Sequence, residues 1–192
     1  PILTPLKTSD AFLHKLSGIS IAAKIRVFKD QKSIYEAKDA ILFTHCGLSG
    51  PGILNASQWF STKNLRKNHK LEISFLPEQS FDLYEKEFIN YSQKNPKGKL
   101  SNLLGKSFPK RFVESLLKKN SLHTANLCQI KKTDRKKLMN TLFHFHPEIT
   151  GHFGYKKAEV TAGGVKLSAI NPKTMEIKGF PGLYAIGEVV DV

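Results

Sequence analysis

The clearest periodicity lies near the start of the chain. From residue 19 to 28, Ile19, Ile21, Ala23, Ile25 and Val27 alternate with Ser20, Lys24 and Arg26. A period of two sends one set inward and the other toward water, so this stretch predicts a half-buried strand. Residues 33–44 predict one or two more strands, ending in Ala40-Ile41-Leu42-Phe43. Leu71, Ile73 and Phe75 then alternate with Glu72 and Ser74 until Pro77 ends the ladder. Between them, residues 51–62 read as a helix with Pro51 in its first turn. At Ser80, a candidate N-cap, the period changes: Phe81, Tyr84, Glu85, Phe88 and Tyr91 recur at helical spacing. Leu100, Leu103 and Leu104 mark a short helix. Another opens at Pro109 and buries Phe112, Val113, Leu116 and Leu117. Thr124 to Ile130 reads as a further helix, and one more starts at Thr133 and carries Leu138, Leu142 and Phe143. After His146-Pro147 strand character returns and runs to Ile186.

This pattern is α+β: a small barrel or curled sheet interrupted by a helical subdomain. It divides the chain into a β part at 1–79, helices at 80–145, a return to the sheet at 146–160, and a separate segment at 161–192. The aromatics of the first long helix sit at core spacing, which favours packing over base stacking.

Composition narrows the class. The 192 residues are 40% hydrophobic and 24% charged, a globular balance. No apolar run reaches the length of a membrane span and no signal-peptide pattern opens the chain, so no membrane partner is expected. Cys46 and Cys128 are the two cysteines, too few for a disulfide framework or a cysteine zinc site, which points to the cytoplasm. The net charge of +14 is unevenly spread. Lys63, Arg66, Lys110, Arg111, Lys131, Lys132, Arg135 and Lys136 fall in basic clusters that would hold RNA phosphates without reading sequence. The alternative is a set of solvated helix faces.

Three stretches carry candidate chemistry. Thr44-His45-Cys46-Gly47-Leu48-Ser49-Gly50-Pro51 links a strand to a helix. Gly47, Ser49 and Gly50 permit tight turns and capping, and free N–H groups at the helix start suit an anion. His45 is then a candidate general acid, the alternative being a packed connection whose imidazole bonds a carbonyl. Val160-Thr161-Ala162-Gly163-Gly164-Val165 would let backbone pass close to a planar ring or phosphate, or form a simple bulge or turn. Leu183-Tyr184-Ala185-Ile186 runs into Gly187-Glu188, with Asp191 beyond. An apolar strand ending in glycine and an acid can offer N–H groups to a pyrophosphate and a carboxylate to a ribityl or ribose hydroxyl. His144, His146 and His152 have no cysteine partner close in sequence, so no metal site is expected.

Together, residues 42–51, the Pro109-Lys110-Arg111 helix start and the run from Val160 to Glu188 and Asp191 resemble the BaiN/YhiN-like (RdsA-like) NAD(P)/FAD-dependent oxidoreductases. Pro5-Leu6 and Leu16-Ser17-Gly18-Ile19-Ser20 also fit that pattern, whereas Ile177 after Thr174-Met175-Glu176 replaces the family's serine. The resemblance implies an internal fragment: a barrel-like insert with its helical subdomain, then a return into an incomplete, Rossmann-like FAD-binding domain whose remainder is its partner. It implies FAD as cofactor, held by Thr161, Gly163, Gly164, Gly187, Glu188 and Asp191, with NAD(P)H as reductant. It further implies hydride transfer to a ribosomal RNA uridine or to a small amine or enone. Two rival readings are a non-catalytic, basic RNA-docking module and a cofactor-sheltering lid for small metabolites.

Overall fold

The computed structural model describes residues 1–62 and 67–191. Its main sheet contains β1 (Leu6–Thr8), β2 (Ser20–Lys29), β3 (Lys32–Thr44), β4 (Gly47–Ser49), β5 (His69–Ser74) and β6 (Ile149–His152). The order is β5-β2-β3-β4-β1-β6, with all neighbours antiparallel. The alternation seen in sequence places Ala23, Ile25 and Val27 of β2 in the core. Asp30 and Gln31 connect β2 to β3, both with positive φ, the conformation that matches a two-residue hairpin to the strand twist.

The sheet is curled. At its β5 edge, Ile73 and Phe145 exchange backbone hydrogen bonds of 2.8 and 3.0 Å. Four residues later Ile149 opens β6, which lies at the opposite edge. Four residues reach about 14 Å at most, whereas the outer strands of a flat sheet of this size stand roughly 24 Å apart. The expected barrel is therefore an open, strongly curved sheet, its ladder unjoined between β5 and β6. Strand β5 also departs from the half-buried reading. Glu72 and Ser74, expected to face water, are buried along with Leu71 and Ile73; Arg26, His144 and His146 surround the Glu72 carboxylate.

The helices are α1 (Ala11–His14), α2 (Pro51–Ala56), α3 (Phe81–Lys94), α4 (Leu100–Leu104), α5 (Lys110–Lys119) and α6 (Lys132–Phe143). Residues Thr124–Ile130 form only a 3₁₀ turn, Leu127–Gln129, where a helix was expected. Its backbone is drawn off into other pairings: Leu127 N–H donates to Gly98 O and Cys128 N–H to Pro96 O. Ser80 caps α3 by accepting from the Leu83 N–H at 3.3 Å. Replacing it with alanine is expected to cost about 1 kcal/mol, measurable by urea unfolding. Phe88 is buried and Phe81, Tyr84 and Tyr91 are partly buried against the core, so these aromatics do pack. Burial, followed by nearby Glu87, raises the Tyr84 phenol above its usual pKa.

Phe112 of α5 joins helices to sheet. It is fully buried, with ring centroids 5.1 Å from Phe75, 6.2 Å from Phe43, 6.1 Å from Phe12 and 4.8 Å from Phe108. Sheet and helices thus share one core.

Both ends of this body meet. Ile2 N–H donates to Val160 O at 3.0 Å and Glu159 N–H to Leu3 O at 3.2 Å. Beyond lies a second, small cluster of Ile170, Ala185 and Val190. There the expected run of strand character shrinks to a parallel pair, β7 (Val165–Lys166) and β8 (Val190–Asp191), plus isolated bridges. Gly163, Gly164, Pro172, Gly179, Pro181 and Gly182 punctuate the segment too closely for longer strands. Leu183–Ile186 does not form the apolar strand expected above; Tyr184 makes an isolated bridge to Glu176. Ala185 is buried, but Tyr184 is 59% and Ile186 69% exposed.

Candidate functional site

His45 and Cys46 form the two-residue turn of a hairpin, between paired Thr44 and Gly47. The link from strand to helix therefore contains an additional short strand, β4, that sequence reasoning did not anticipate. His45 is exposed and makes no hydrogen bond among the described residues. Gly47 and Gly50 have packing roles: a Cβ on Gly47 would overlap the Leu6 carbonyl, and one on Gly50 would come within 2.9 Å of Ala40 O and Leu42 N. Gly50 O also accepts from the Ile53 and Leu54 N–H groups, while Ser49 pairs with Leu42 across β3–β4. With six residues, α2 offers little dipole to an anion.

The cofactor candidates belong to the other sheet. Parallel pairing aligns Val165 with Val190 and Lys166 with Asp191. This brings the Thr161–Gly164 stretch beside the Gly187–Asp191 stretch. Gly164 lies so close to the second stretch that a Cβ there would overlap the Val189 carbonyl. Gly163 and Gly187 adopt φ of 83° and 72°, and nothing occupies the space where a Cβ would stand. Thr161, Glu188 and Asp191 are exposed. Open glycine backbone beside accessible carboxylates fits the phosphates and hydroxyls of a dinucleotide. In the same segment, Leu167, Phe180, Leu183, Tyr184, Ile186 and Val189 are more than half exposed.

The basic candidates divide. Lys63 and Arg66 lie outside the described residues. Arg111 Nη2 donates to the Leu16 and Ser17 carbonyls, tying α5 to the end of α1. Arg135 pairs with Glu85 at 3.0 Å. Both guanidiniums thus have structural partners. Lys110, Lys131, Lys132 and Lys136 are exposed.

One constellation escaped sequence reasoning. Buried Glu72 forms an ion pair with Arg26, whose Nη2 lies 2.5 Å from one oxygen; the other oxygen accepts from His144 Nδ1 at 3.2 Å and stands 3.3 Å from His146 Nε2. His146 Nδ1 also meets the Leu71 carbonyl at 3.2 Å. These positions are far apart in sequence, and the sole signal was an acid on a strand that proved to be covered on both faces. Among the described residues, no group of three or more His, Cys, Asp or Glu side chains is arranged to hold a metal. None of the described helices is long and apolar enough to cross a membrane.

Comparison with known proteins agrees with this architecture. The chain is 36% identical to a ribosomal RNA dihydrouridine synthase of Haemophilus influenzae over 97% of its own length and 43% of the relative's. It is 33% identical to a protein of the same name from Escherichia coli, over 94% of this chain and 42% of that one. A 3-dehydro-bile acid delta(4,6)-reductase of Clostridium scindens is 27% identical over the whole chain and 47% of its own length. The chain thus spans less than half the length of these relatives. Residues 1–160, the curled sheet with its helices, match a single family description, and the chain belongs to that family, the HI0933-like protein barrel and H2TH domain proteins.

Proposed function

We propose that this chain is part of a flavin-dependent oxidoreductase that reduces a uridine in ribosomal RNA. The carrying observation is the similarity, over nearly the whole chain, to two proteins named as ribosomal RNA dihydrouridine synthases. The more distant bile-acid reductase also reduces a substrate by its name, which supports the reaction class across different substrates.

FAD would supply hydride transfer, with NAD(P)H as its reductant. This chain's residues contribute binding and orientation. Glu188 accepts hydrogen bonds from ribityl or ribose hydroxyls, and Asp191 acts beside it. The backbone at Gly163, Gly164 and Gly187 approaches the pyrophosphate or ring, with Thr161 at the same edge. The exposed apolar side chains from Leu167 to Val189 fit coverage by the rest of a flavin-binding domain. The pairing of Ile2 with Val160 fits an insert carried on that domain. His45 is the proton donor to the substrate, and exposed Lys110, Lys131, Lys132 and Lys136 hold RNA phosphates. The cytoplasm, where ribosomal RNA is, is the location this reading assigns.

The test uses the full-length protein. Purified as wild type, it is expected to show the visible absorption of oxidised flavin, and Glu188→Ala to lose most of it while keeping its circular dichroism. Colourless protein that cannot be reconstituted with FAD would exclude the flavoenzyme. A flavin-containing protein that leaves ribosomal RNA unreduced, yet reduces a small enone, would move the substrate to the second class.

A further inference from the structure

Two recesses adjoin near β5 and α6. One, of about 450 Å³, is lined by Phe28, Asp30, Lys67, Lys70, Glu72 and His146. The other, of about 530 Å³, is lined by Lys136, Lys137, Asn140, His144 and His146 among others. Both volumes lie in the range of small-ligand sites. His146 borders both, so they form one furrow with lysines at each end. Of the acids on its walls, Glu72 is already paired with Arg26.

The middle of the furrow has a fixed hydrogen-bonding sense. A carboxylate only accepts, so the contact at 3.2 Å requires His144 Nδ1 to carry the proton and donate to Glu72. In the neutral ring Nε2 is then an acceptor, and it has no partner among the described residues. His144 is 44% exposed at its side chain, so this nitrogen is reachable. A ribose 2′-hydroxyl is a matching donor, and DNA lacks it.

We propose that this furrow is a track for a single RNA strand. Lys67 and Lys70 take phosphates at one end and Lys136 and Lys137 at the other, with a ribose hydroxyl on His144 between them. Phe28 offers a ring against which a base can stack. The proposal rests on the RNA reading above and adds where, and by which residues beyond the basic clusters, the strand is held.

The experiment measures binding of the full-length protein to a fluorescent single-stranded RNA and to DNA of the same sequence, across a salt series. Lys136→Ala/Lys137→Ala is expected to weaken RNA binding at least tenfold and to reduce the salt slope by about 1.4, two phosphates at about 0.7 each. Lys97→Ala/Lys99→Ala, outside the furrow, should leave both unchanged. His144→Phe should reduce the preference for RNA over DNA. All these side chains are substantially exposed, and circular dichroism verifies the fold. If wild type binds RNA but the furrow variants bind equally well, the track is wrong and the RNA reading survives. If flavin-containing wild type binds no RNA at low salt, the RNA reading itself fails, and the track with it.

Discussion

Phe112→Ala is expected to lower stability by about 3–5 kcal/mol, the usual range for deleting a large buried aromatic. The ring is fully buried and bordered by Phe12, Phe43, Phe75 and Phe108. Those neighbours come from α1, from β3, from the end of β5 and from the approach to α5, so no single element can collapse into the vacated space. Domains carry about 5–15 kcal/mol in total, and the change removes a large part of that. For a chain of this size, it corresponds to a fall of roughly 10 °C in the thermal midpoint. Urea unfolding followed by far-ultraviolet circular dichroism measures it. A loss below about 1 kcal/mol would mean that sheet and helices do not share the core described here.

Gly47→Ala is expected to be nearly as severe, at about 3 kcal/mol, for a different reason. The added methyl would overlap the Leu6 carbonyl, where β1 and β4 pair through Leu6–Leu48 and Lys7–Gly47. Relief requires the two strands to separate, losing backbone hydrogen bonds worth about 1 kcal/mol each and adding overpacking strain of about 1–3 kcal/mol. The measurement also separates two readings of the His45 loop. A glycine needed for packing destabilises the protein whether flavin is bound or removed. One needed only to approach a ligand would leave the flavin-free protein's unfolding midpoint unchanged.

Local signals were legible where one physical effect decides. Alternation placed β2, because a strand with one wet face must separate apolar from polar residues. Ser80 was readable as a cap because its hydroxyl is close enough in sequence to reach the Leu83 N–H. Phe112, Val113, Leu116 and Leu117 fall on one helical face at matching spacing, and all are buried. What escaped was set by distant chain. Glu72 looks like a surface residue until Arg26, His144 and His146 converge on it from other elements. Leu183–Ile186 reads as a buried strand by composition, but its exposure reflects the surface available to cover it, which local pattern cannot encode. In the candidate site, sequence identified the glycines and acids of both stretches. Their adjacency came from the parallel β7–β8 pairing, which depends on the 23 intervening residues between Lys166 and Val190 folding back.

The pairing of Ile2 with Val160 has a consequence for how such a body can be inherited. Partners in an antiparallel pair have Cα atoms about 4.5–5.5 Å apart. To any structure continuous with those two residues, everything between them occupies the place of a hairpin loop. If the body is an insert, as proposed, a host sheet could therefore gain, lose or exchange it whole without rebuilding its own framework. Under the proposed function, its helices and exposed lysines could then diversify toward a new substrate while the junction stays as it was.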